Sequence, residues 1–205
     1  MPKIIENLDQ VIVQKSLELF KKYSYQKVCM RTIAEEAGIA VGTLYNYFPT
    51  KWDLYISVFE ESWKETYGDL KEETDKAEKD YINQFFTILY QDMKQKKGIV
   101  KELFFFFLNN SELTSYEQKE KIKQVRFPDI MMKDIYQLFL CNFKKEYEVD
   151  IDDREEDLNR MFTMVYTYIP LLQKTHDSDE DNIKFINDTV NSYLESSLIK
   201  DCEKN

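Results

Sequence analysis

Two closely spaced interruptions, at Gly38 and Pro49, constrain the fold more than any other feature of this 205-residue sequence. Apolar residues at three-to-four spacing predict a first helix from about residue 5 to 23. A short helix after residue 30 then stops at Gly38, because glycine readily adopts the left-handed conformation that often ends a helix. A second short helix runs from Gly42 to Phe48 and ends at Pro49. Two short helices joined by a tight turn and packed on a longer helix form a helix-turn-helix.

The sequence also marks the start of a fourth helix. Thr50 can cap its first amides, and Asp53 can reach back to complete a capping box. We expect this helix to end near Leu70, with the charged run 71–80 as a junction or a solvated helix end. Five more helices are predicted, at about 80–96, 99–109, 114–146, 154–174 and 179–200. Gly98 is expected to separate the first two of these, and Pro128 and Pro170 to kink or divide later ones.

Turn-forming residues are too sparse for many short strands, since the chain has only 4 Gly and 4 Pro. We therefore predict an all-α fold with two domains. Residues 1–50 form a three-helix helix-turn-helix domain, and residues 51–205 form a helical ligand-binding and dimerisation domain. The fourth helix connects the two.

Charge is distributed unevenly between these two parts. Residues 1–51 carry seven Lys or Arg and five Asp or Glu, a net of +2, whereas the remaining 154 residues carry a net of −12. A basic head on an acidic body suits a protein that holds DNA phosphates by the head alone. The simpler alternative is that the acidic body is only a soluble surface.

Several other classes of protein are not expected. The three cysteines, Cys29, Cys141 and Cys202, are odd in number and widely spaced, which disfavours a disulfide scaffold or a zinc site. No signal peptide and no apolar run of membrane-spanning length is seen, so we expect a cytoplasmic protein without membrane contact. The single histidine, His176, has no catalytic constellation around it. We expect no enzyme activity, cofactor or metal.

A dense motif spans the two short helices. Residues 30–39 read Met-Arg-Thr-Ile-Ala-Glu-Glu-Ala-Gly-Ile and residues 42–48 read Gly-Thr-Leu-Tyr-Asn-Tyr-Phe, followed by Lys51 and Leu54. This segment of about 50 residues resembles the signature of the TetR family of transcriptional regulators. The resemblance implies double-stranded DNA as a partner, a homodimer and a small-molecule effector. The remaining three quarters of the chain resemble the family only in length and helical character.

The chain departs from the family pattern at three positions. Ala40 and Val41 stand where a small hydroxyl residue and often a basic residue precede the recognition Gly-Thr. Ala40 cannot cap the recognition helix, and Val41 cannot bind a phosphate, although its methyl groups can meet a thymine methyl. Cys29 stands where a capping Thr or Ser is common. The operator sequence therefore cannot be inferred from the resemblance.

Individual residues of the motif have physical reasons to contact DNA. Gly42 permits close approach of the backbone, and the Thr43 hydroxyl can meet a phosphate. Tyr45 and Tyr47 leave the helix about 200° apart, so at least one should be exposed, with Leu44 and Phe48 as the core pair. Lys51, beside the free amides of the fourth helix, can hold a phosphate. By resemblance, Arg31 can reach a guanine. The predicted DNA-contacting residues are Arg31, Thr32, Ala40, Val41, Gly42, Thr43, Tyr45, Asn46, Tyr47 and Lys51.

Each of these assignments has a structural alternative. Gly42 can simply start a helix, and Tyr45 can pack in the core. Arg31 and Lys51 can be ordinary solvated charges.

Aromatic residues in the body suggest an effector pocket. Four consecutive phenylalanines, residues 104–107, would point all round a helix, so this helix is either a packed central element or part of a cavity wall. Such a cavity would suit an apolar or aromatic molecule. The predicted lining residues are Trp63, Tyr67, Phe86, Tyr90, Phe104, Phe107, Phe139, Phe143 and Tyr166.

The last two predicted helices are expected to form the dimer contact, as the resemblance implies. Their apolar stripes consist of Phe162, Val165 and Ile169 on one helix and Ile186, Val190, Tyr193 and Leu194 on the other. The alternative is that these stripes face only the core of their own chain.

The resulting hypothesis is a repressor that an effector releases from a near-palindromic operator. Activation of transcription stays open. A second hypothesis is a DNA-binding adaptor whose body binds another protein, and a large exposed apolar patch would favour it.

Overall fold

A computed structural model describes residues 7–100, 127–148 and 154–202 of the chain. Within these ranges the chain is helical and contains no β-strand, which confirms the all-α prediction. The helices are α1 (Leu8–Lys22), α2 (Met30–Glu36), α3 (Val41–Tyr47), α4 (Lys51–Lys76), α5 (Tyr81–Gln95), α6 (Phe127–Tyr147), α7 (Glu155–Thr175) and α8 (Asp179–Cys202). Residues 97–100 are also helical. No helix in the described ranges has both the length and the apolar character needed to cross a bilayer.

The chain divides into two compact units. Of the described residues, the first unit contains 7–66, 95–100 and 127–128, and the second contains 67–94, 129–148 and 154–202. Helix α4 therefore begins in the first unit and ends in the second. The two predicted domains, 1–50 and 51–205, stay predictions, because the units divide the chain by contacts and not by function.

The helix-turn-helix of the first unit has the predicted turn. Gly38 has φ of +67°, in the left-handed region. This conformation lets the Ile39 amide donate to the Ala34 carbonyl at 2.9 Å, which satisfies a carbonyl that the end of α2 would otherwise leave free. The apolar faces of α1, α2 and α3 are buried together, with Ile12, Leu17, Phe20, Ile33 and Leu44 at their centre. This small core fixes the orientation of α3.

Helix α4 begins as predicted. The Thr50 amide donates to Asp53 Oδ2 at 3.0 Å, and the Asp53 amide donates to Thr50 Oγ1 at 3.1 Å. These two bonds form the capping box.

The predicted end of α4 near Leu70 is wrong, because the helix continues to Lys76. Leu70 and Thr74, one turn apart, are both fully buried in the second unit. The Thr74 hydroxyl donates to the Leu70 carbonyl at 2.7 Å. Within residues 71–76 of the charged run, Thr74 is thus the buried residue, and it extends the packed face of α4.

The break after α5 lies at Lys96 and not at Gly98 as predicted, since residues 97–100 are helical. The Lys96 ammonium is buried and donates to the Ser62 carbonyl at 2.9 Å and to Thr66 Oγ1 at 2.8 Å. Gly98 instead permits close packing against the end of α1. A Cβ atom at this position would clash with the Phe20 carbonyl oxygen and lie 3.1 Å from the Tyr23 carbonyl oxygen.

The second unit is organised around aromatic rings from three helices. Phe86 of α5, Phe139 of α6 and Phe162 of α7 are fully buried, and the Phe139 ring lies 5.7 Å from Phe86 and 5.5 Å from Phe162. Pro128 lies in the first turn of α6, where a missing amide hydrogen costs no helical hydrogen bond. Pro170 does not end α7, which continues to Thr175.

Candidate nucleic-acid interface

Helix α3 has one buried side and one exposed side. Leu44 is fully buried and Phe48 nearly so, which confirms the predicted core pair. Tyr45 and Tyr47 are 47% and 48% exposed, and Asn46 between them is also exposed. Both tyrosines therefore present their hydroxyls to solvent, where they can donate to phosphate oxygens.

The beginning of α3 has no side-chain cap. Ala40 occupies the N-cap position in extended conformation and forms no side-chain hydrogen bond, as its methyl group requires. Gly42 is exposed, and a Cβ atom at this position would meet nothing within 4 Å. The fold of the described chain therefore does not require glycine here, in contrast to Gly98.

Helix α2 begins with polar contacts among exposed and half-buried side chains. Arg31 forms an exposed ion pair with Glu35, one turn later, at 3.3 Å. The Cys29 sulfur lies 3.1 Å from Thr32 Oγ1. Hydrogen bonds from the Thr32 side chain and amide lower the pKa of the Cys29 thiol. The ion pair is solvated and contributes little stability, so it does not hold the Arg31 side chain firmly in this position.

Lys51 already has partners within its own unit. Its ammonium donates to the Tyr25 carbonyl and lies 4.0 Å from the centroid of the Tyr25 ring. The Tyr25 ring contacts Tyr55 at a centroid distance of 4.9 Å and Trp52 at 6.0 Å. This contact ties the first turn of α4 to the segment between α1 and α2, a role that sequence reasoning did not anticipate.

The predicted effector-binding residues fall in different places. Phe86, Tyr90, Phe139, Phe143 and Tyr166 are buried in the second unit, and all but Tyr90 belong to its connected set of ring contacts. Tyr67 is half-buried in the second unit, whereas Trp63 is half-buried in the first. Phe104 and Phe107, with the rest of the phenylalanine run, lie outside the described residues.

Tyr90 takes part in a polar network that the sequence did not reveal. Its hydroxyl donates to Asp179 Oδ1 at 2.8 Å and accepts from Asn182 Nδ2 at 3.0 Å. Lys94 forms an ion pair with the same Asp179 carboxylate. Burial raises the pKa of Tyr90, while the contacts with Lys94 and then Tyr90 lower the pKa of Asp179. The network joins α5 to the first turn of α8, and its residues are too far apart in sequence to form a recognisable pattern.

Most of the predicted dimer stripes lie in the core of their own chain, which favours the alternative that they face only this core. These residues fill the space between α7, α8 and the other helices of the second unit. The side chains of Phe162, Val165, Ile169, Ile186, Val190 and Leu194 are all buried, and Tyr193 is half-buried. The six buried side chains are therefore covered within one chain, as the alternative interpretation of these stripes expects, and only Tyr193 keeps exposed surface.

A different stripe on the same two helices is exposed. Met164, Tyr168 and Leu171 recur at i, i+4 and i+7 on α7 and are 52%, 43% and 49% exposed. Phe185 on α8 is similarly exposed. Their spacing is a recognisable signal, but α7 carries apolar residues on both sides and the sequence does not indicate which side is outward.

In the described residues no three His, Cys, Asp or Glu side chains are grouped as metal ligands.

Known proteins share the motif-bearing segment. The model of the family described as bacterial regulatory proteins, tetR family, matches residues 12–58. The transcriptional repressor KstR of Rhodococcus jostii is 50% identical over 46 residues, and the match spans 22% of each chain, about a fifth of that relative. The fatty acid metabolism regulator protein of Bacillus subtilis is 32% identical over 120 residues, which are 56% of this chain and 58% of that protein.

Solved structures share the fold over most of the chain. A tetR-family transcriptional regulator from Streptomyces coelicolor has a TM-score of 0.65 at 14% identity, over 91% of this chain and 80% of that one. The fatty acid degradation regulator FadR from Bacillus halodurans has a TM-score of 0.59 at 18% identity, over 91% and 95%. At these identities the likeness establishes the fold alone. Residues 12–58 of this chain are thus similar in sequence to the tetR family of bacterial regulatory proteins, and its fold is similar to that of solved tetR-family regulators.

Proposed function

We propose that this protein is a transcriptional repressor that binds double-stranded DNA through α3. The observation that carries the proposal is the two-sided character of this helix, with Leu44 buried and Tyr45, Asn46 and Tyr47 exposed. A helix that is anchored on one face and presents polar groups on the other is suited to the major groove. The relative KstR is named a transcriptional repressor, which favours repression over activation.

The predicted contacts around α3 are of two kinds: tyrosine hydroxyls that already face solvent, and cationic side chains that must first leave a partner within the protein. The hydroxyls of Tyr45 and Tyr47 hold phosphates and set the orientation of the helix. Arg31 leaves its solvated pair with Glu35 to reach DNA. Lys51 stays a predicted phosphate contact, and its ammonium would exchange the Tyr25 carbonyl for a phosphate oxygen.

The test is binding of the full-length protein to a duplex enriched from a random library, beside an unrelated duplex, by fluorescence anisotropy. Tyr47→Phe removes one hydroxyl, and Tyr23→Phe is its matched control, since Tyr23 is 52% exposed but lies at the end of α1. We expect about ten-fold weaker binding for Tyr47→Phe, the loss of one charge-assisted hydrogen bond, and no change for Tyr23→Phe. Equal effects of the two substitutions would contradict the proposed interface.

We further propose that the repressor is a homodimer held by the exposed stripe of α7 and α8. Met164, Tyr168, Leu171 and Phe185 are large apolar side chains that a second copy would remove from water. A symmetric pair of helix hairpins forms a four-helix interface and presents two heads to a near-palindromic site. This assignment replaces the buried stripes predicted from the sequence.

Sedimentation of purified variants tests the dimer. The double substitution Met164→Glu/Leu171→Glu would place charges on the proposed contact, and Tyr23→Glu places one at an equally exposed site elsewhere. We expect the double variant to be monomeric and the control to be dimeric. If the double variant is dimeric and its subunits associate as tightly as those of the wild type, this face is not the dimer contact.

The effector is proposed to be an apolar molecule that binds the second unit, whose interior is rich in aromatic rings. The names of both Bacillus relatives refer to fatty acid metabolism or degradation, which makes acyl compounds the first class to test. Palmitoyl-CoA should release the DNA duplex, whereas coenzyme A alone should not. Release requires the effector to bind the DNA-free state more tightly than the DNA-bound state. If palmitoyl-CoA does not change DNA binding, a long-chain acyl-CoA effector is excluded.

A further inference from the structure

The recognition helix α3 carries no cationic side chain. Its residues, Val41–Tyr47, read Val-Gly-Thr-Leu-Tyr-Asn-Tyr. The nearest cations of the motif are Arg31 on α2, which pairs with Glu35, and Lys51 on α4, which contacts Tyr25. Arginine and lysine are the residues that most often read guanine, through its two major-groove acceptors. Any sequence preference of α3 itself must therefore come from neutral groups.

Asn46 is the neutral group best placed for this role. Its side chain is exposed and forms no hydrogen bond within the described part of the chain, so both the donor and the acceptor of its amide are available. Gly42 lies one turn earlier on the same face, and the space where its Cβ would stand is open to 4 Å. Helical side chains lean toward the N-terminus, so the amide at residue 46 extends toward Gly42, which has no side chain.

We propose that α3 reads A·T base pairs, with Asn46 as the residue that specifies adenine; this inference rests on the proposed DNA-binding function. In the major groove, adenine presents the N7 acceptor beside the N6 donor, and an asparagine amide offers the complementary donor and acceptor in one plane. Val41 on the first turn of α3 is half-buried and offers methyl groups suited to the thymine methyl. The helix thus carries one group suited to adenine and another suited to thymine.

The length of α3 allows both ends of its exposed face to reach bases. Seven residues at 1.5 Å each make a helix about 10.5 Å long. The major groove is about 12 Å wide, so the helix does not have to leave the groove before residue 46. The flanking hydroxyls of Tyr45 and Tyr47 remain free to hold phosphates on either side, which assigns base readout and positioning to different residues.

The experiment is selection of randomised duplexes by the full-length protein, followed by binding assays on the enriched site with each base pair replaced in turn. Wild type, Asn46→Ala and Tyr47→Phe are compared. Thermal unfolding of each variant verifies the fold, which the exposed positions of both residues should leave intact. For the wild type we expect at least one A·T pair per half-site whose replacement by G·C weakens binding about ten-fold or more.

Asn46→Ala should lose the preference at that pair and keep the preferences elsewhere. Tyr47→Phe should weaken binding to all the duplexes by a similar factor and leave the preferences unchanged. A folded Asn46→Ala variant with the wild-type preference at every position would overturn the assignment, as would a wild-type site with only G·C preferences. If the wild type enriches no sequence at all, the proposed DNA-binding function itself fails, and the inference fails with it.

Discussion

Replacement of Gly42 with alanine should change protein stability and DNA affinity in opposite directions. The residue lies in the first turn of α3, is exposed, and has a backbone conformation outside the left-handed region. An added Cβ atom would meet nothing within 4 Å. Alanine also loses less backbone entropy on folding than glycine does. The free protein should therefore become slightly more stable.

We expect a gain of about 0.5 kcal/mol in the free energy of unfolding, the lower end for such a change because Gly42 lies at the start of the helix. For a chain of this length, this corresponds to a rise in Tm of about 1–2 °C. DNA affinity should instead fall by about ten-fold if Gly42 contacts DNA as proposed, because the added methyl group would stand between the backbone and the groove. That loss corresponds to about 1.4 kcal/mol in the binding free energy.

The chain supplies a matched control in Gly68. This glycine lies inside α4, is exposed, and also has open space around its missing Cβ atom. Gly68→Ala should stabilise the protein by a similar or greater amount without changing DNA affinity. Thermal denaturation and anisotropy on the same enriched duplex measure both quantities. If Gly42→Ala binds DNA as tightly as Gly68→Ala does, close backbone approach at Gly42 is refuted and the residue is only a helix start.

Three further substitutions test the packing of the two units. Gly98→Ala should lower the free energy of unfolding by about 1–3 kcal/mol, because the new Cβ atom clashes with a backbone carbonyl of α1. Unchanged stability against denaturant would show that α1 shifts to accommodate this atom without loss of stability. Thr50→Ala should lower the free energy of unfolding by about 1 kcal/mol, because the capping box is lost. An unchanged denaturation midpoint would show that the cap does not stabilise the protein. Asp179 has a lowered pKa through Lys94 and Tyr90, so its stabilising contribution is present above its usual value of 3.8 and is lost as the pH falls through the folded pKa. Asp179→Asn should therefore flatten the loss of stability below about pH 4, and parallel pH profiles would contradict this.

The first unit was predictable from sequence wherever a local rule determines the structure. Gly38 ends α2 because few other residues adopt its positive φ without strain, and Thr50 and Asp53 form a capping box within four residues. Leu44 and Phe48 follow from helical spacing, since they are one turn apart. Each of these features depends on neighbours in the chain, and each can be inferred without knowledge of distant residues.

The features that were missed depend on distant residues. Gly98 has the residue type of a helix break, but its role comes from a carbonyl of Phe20, far away in sequence. The outer face of α7 could not be assigned, because Met164 and Val165 are equally apolar and only the packed structure separates them. Tyr90 was assigned to a pocket, although its hydroxyl is committed to Asp179. Periodicity shows that a helix has apolar faces, but it does not show which face meets the core.

The uncharged character of α3 has a consequence for the proposed regulation. Counterion release from phosphates supplies much of the affinity of DNA-binding proteins, and it contributes less to a head whose recognition helix has no cation and whose residues 1–51 carry a net charge of only +2. A single head would then bind weakly, and tight binding would require both heads of a dimer to engage one operator. Linked heads gain affinity through effective concentration and lose the gain when their geometry no longer fits both half-sites. A coupling of about 1–3 kcal/mol from effector binding, a usual size for allosteric systems, would then suffice to release the operator. The sparse charge of the recognition helix and the acidic body thus suit a regulator whose DNA binding is easily reversed.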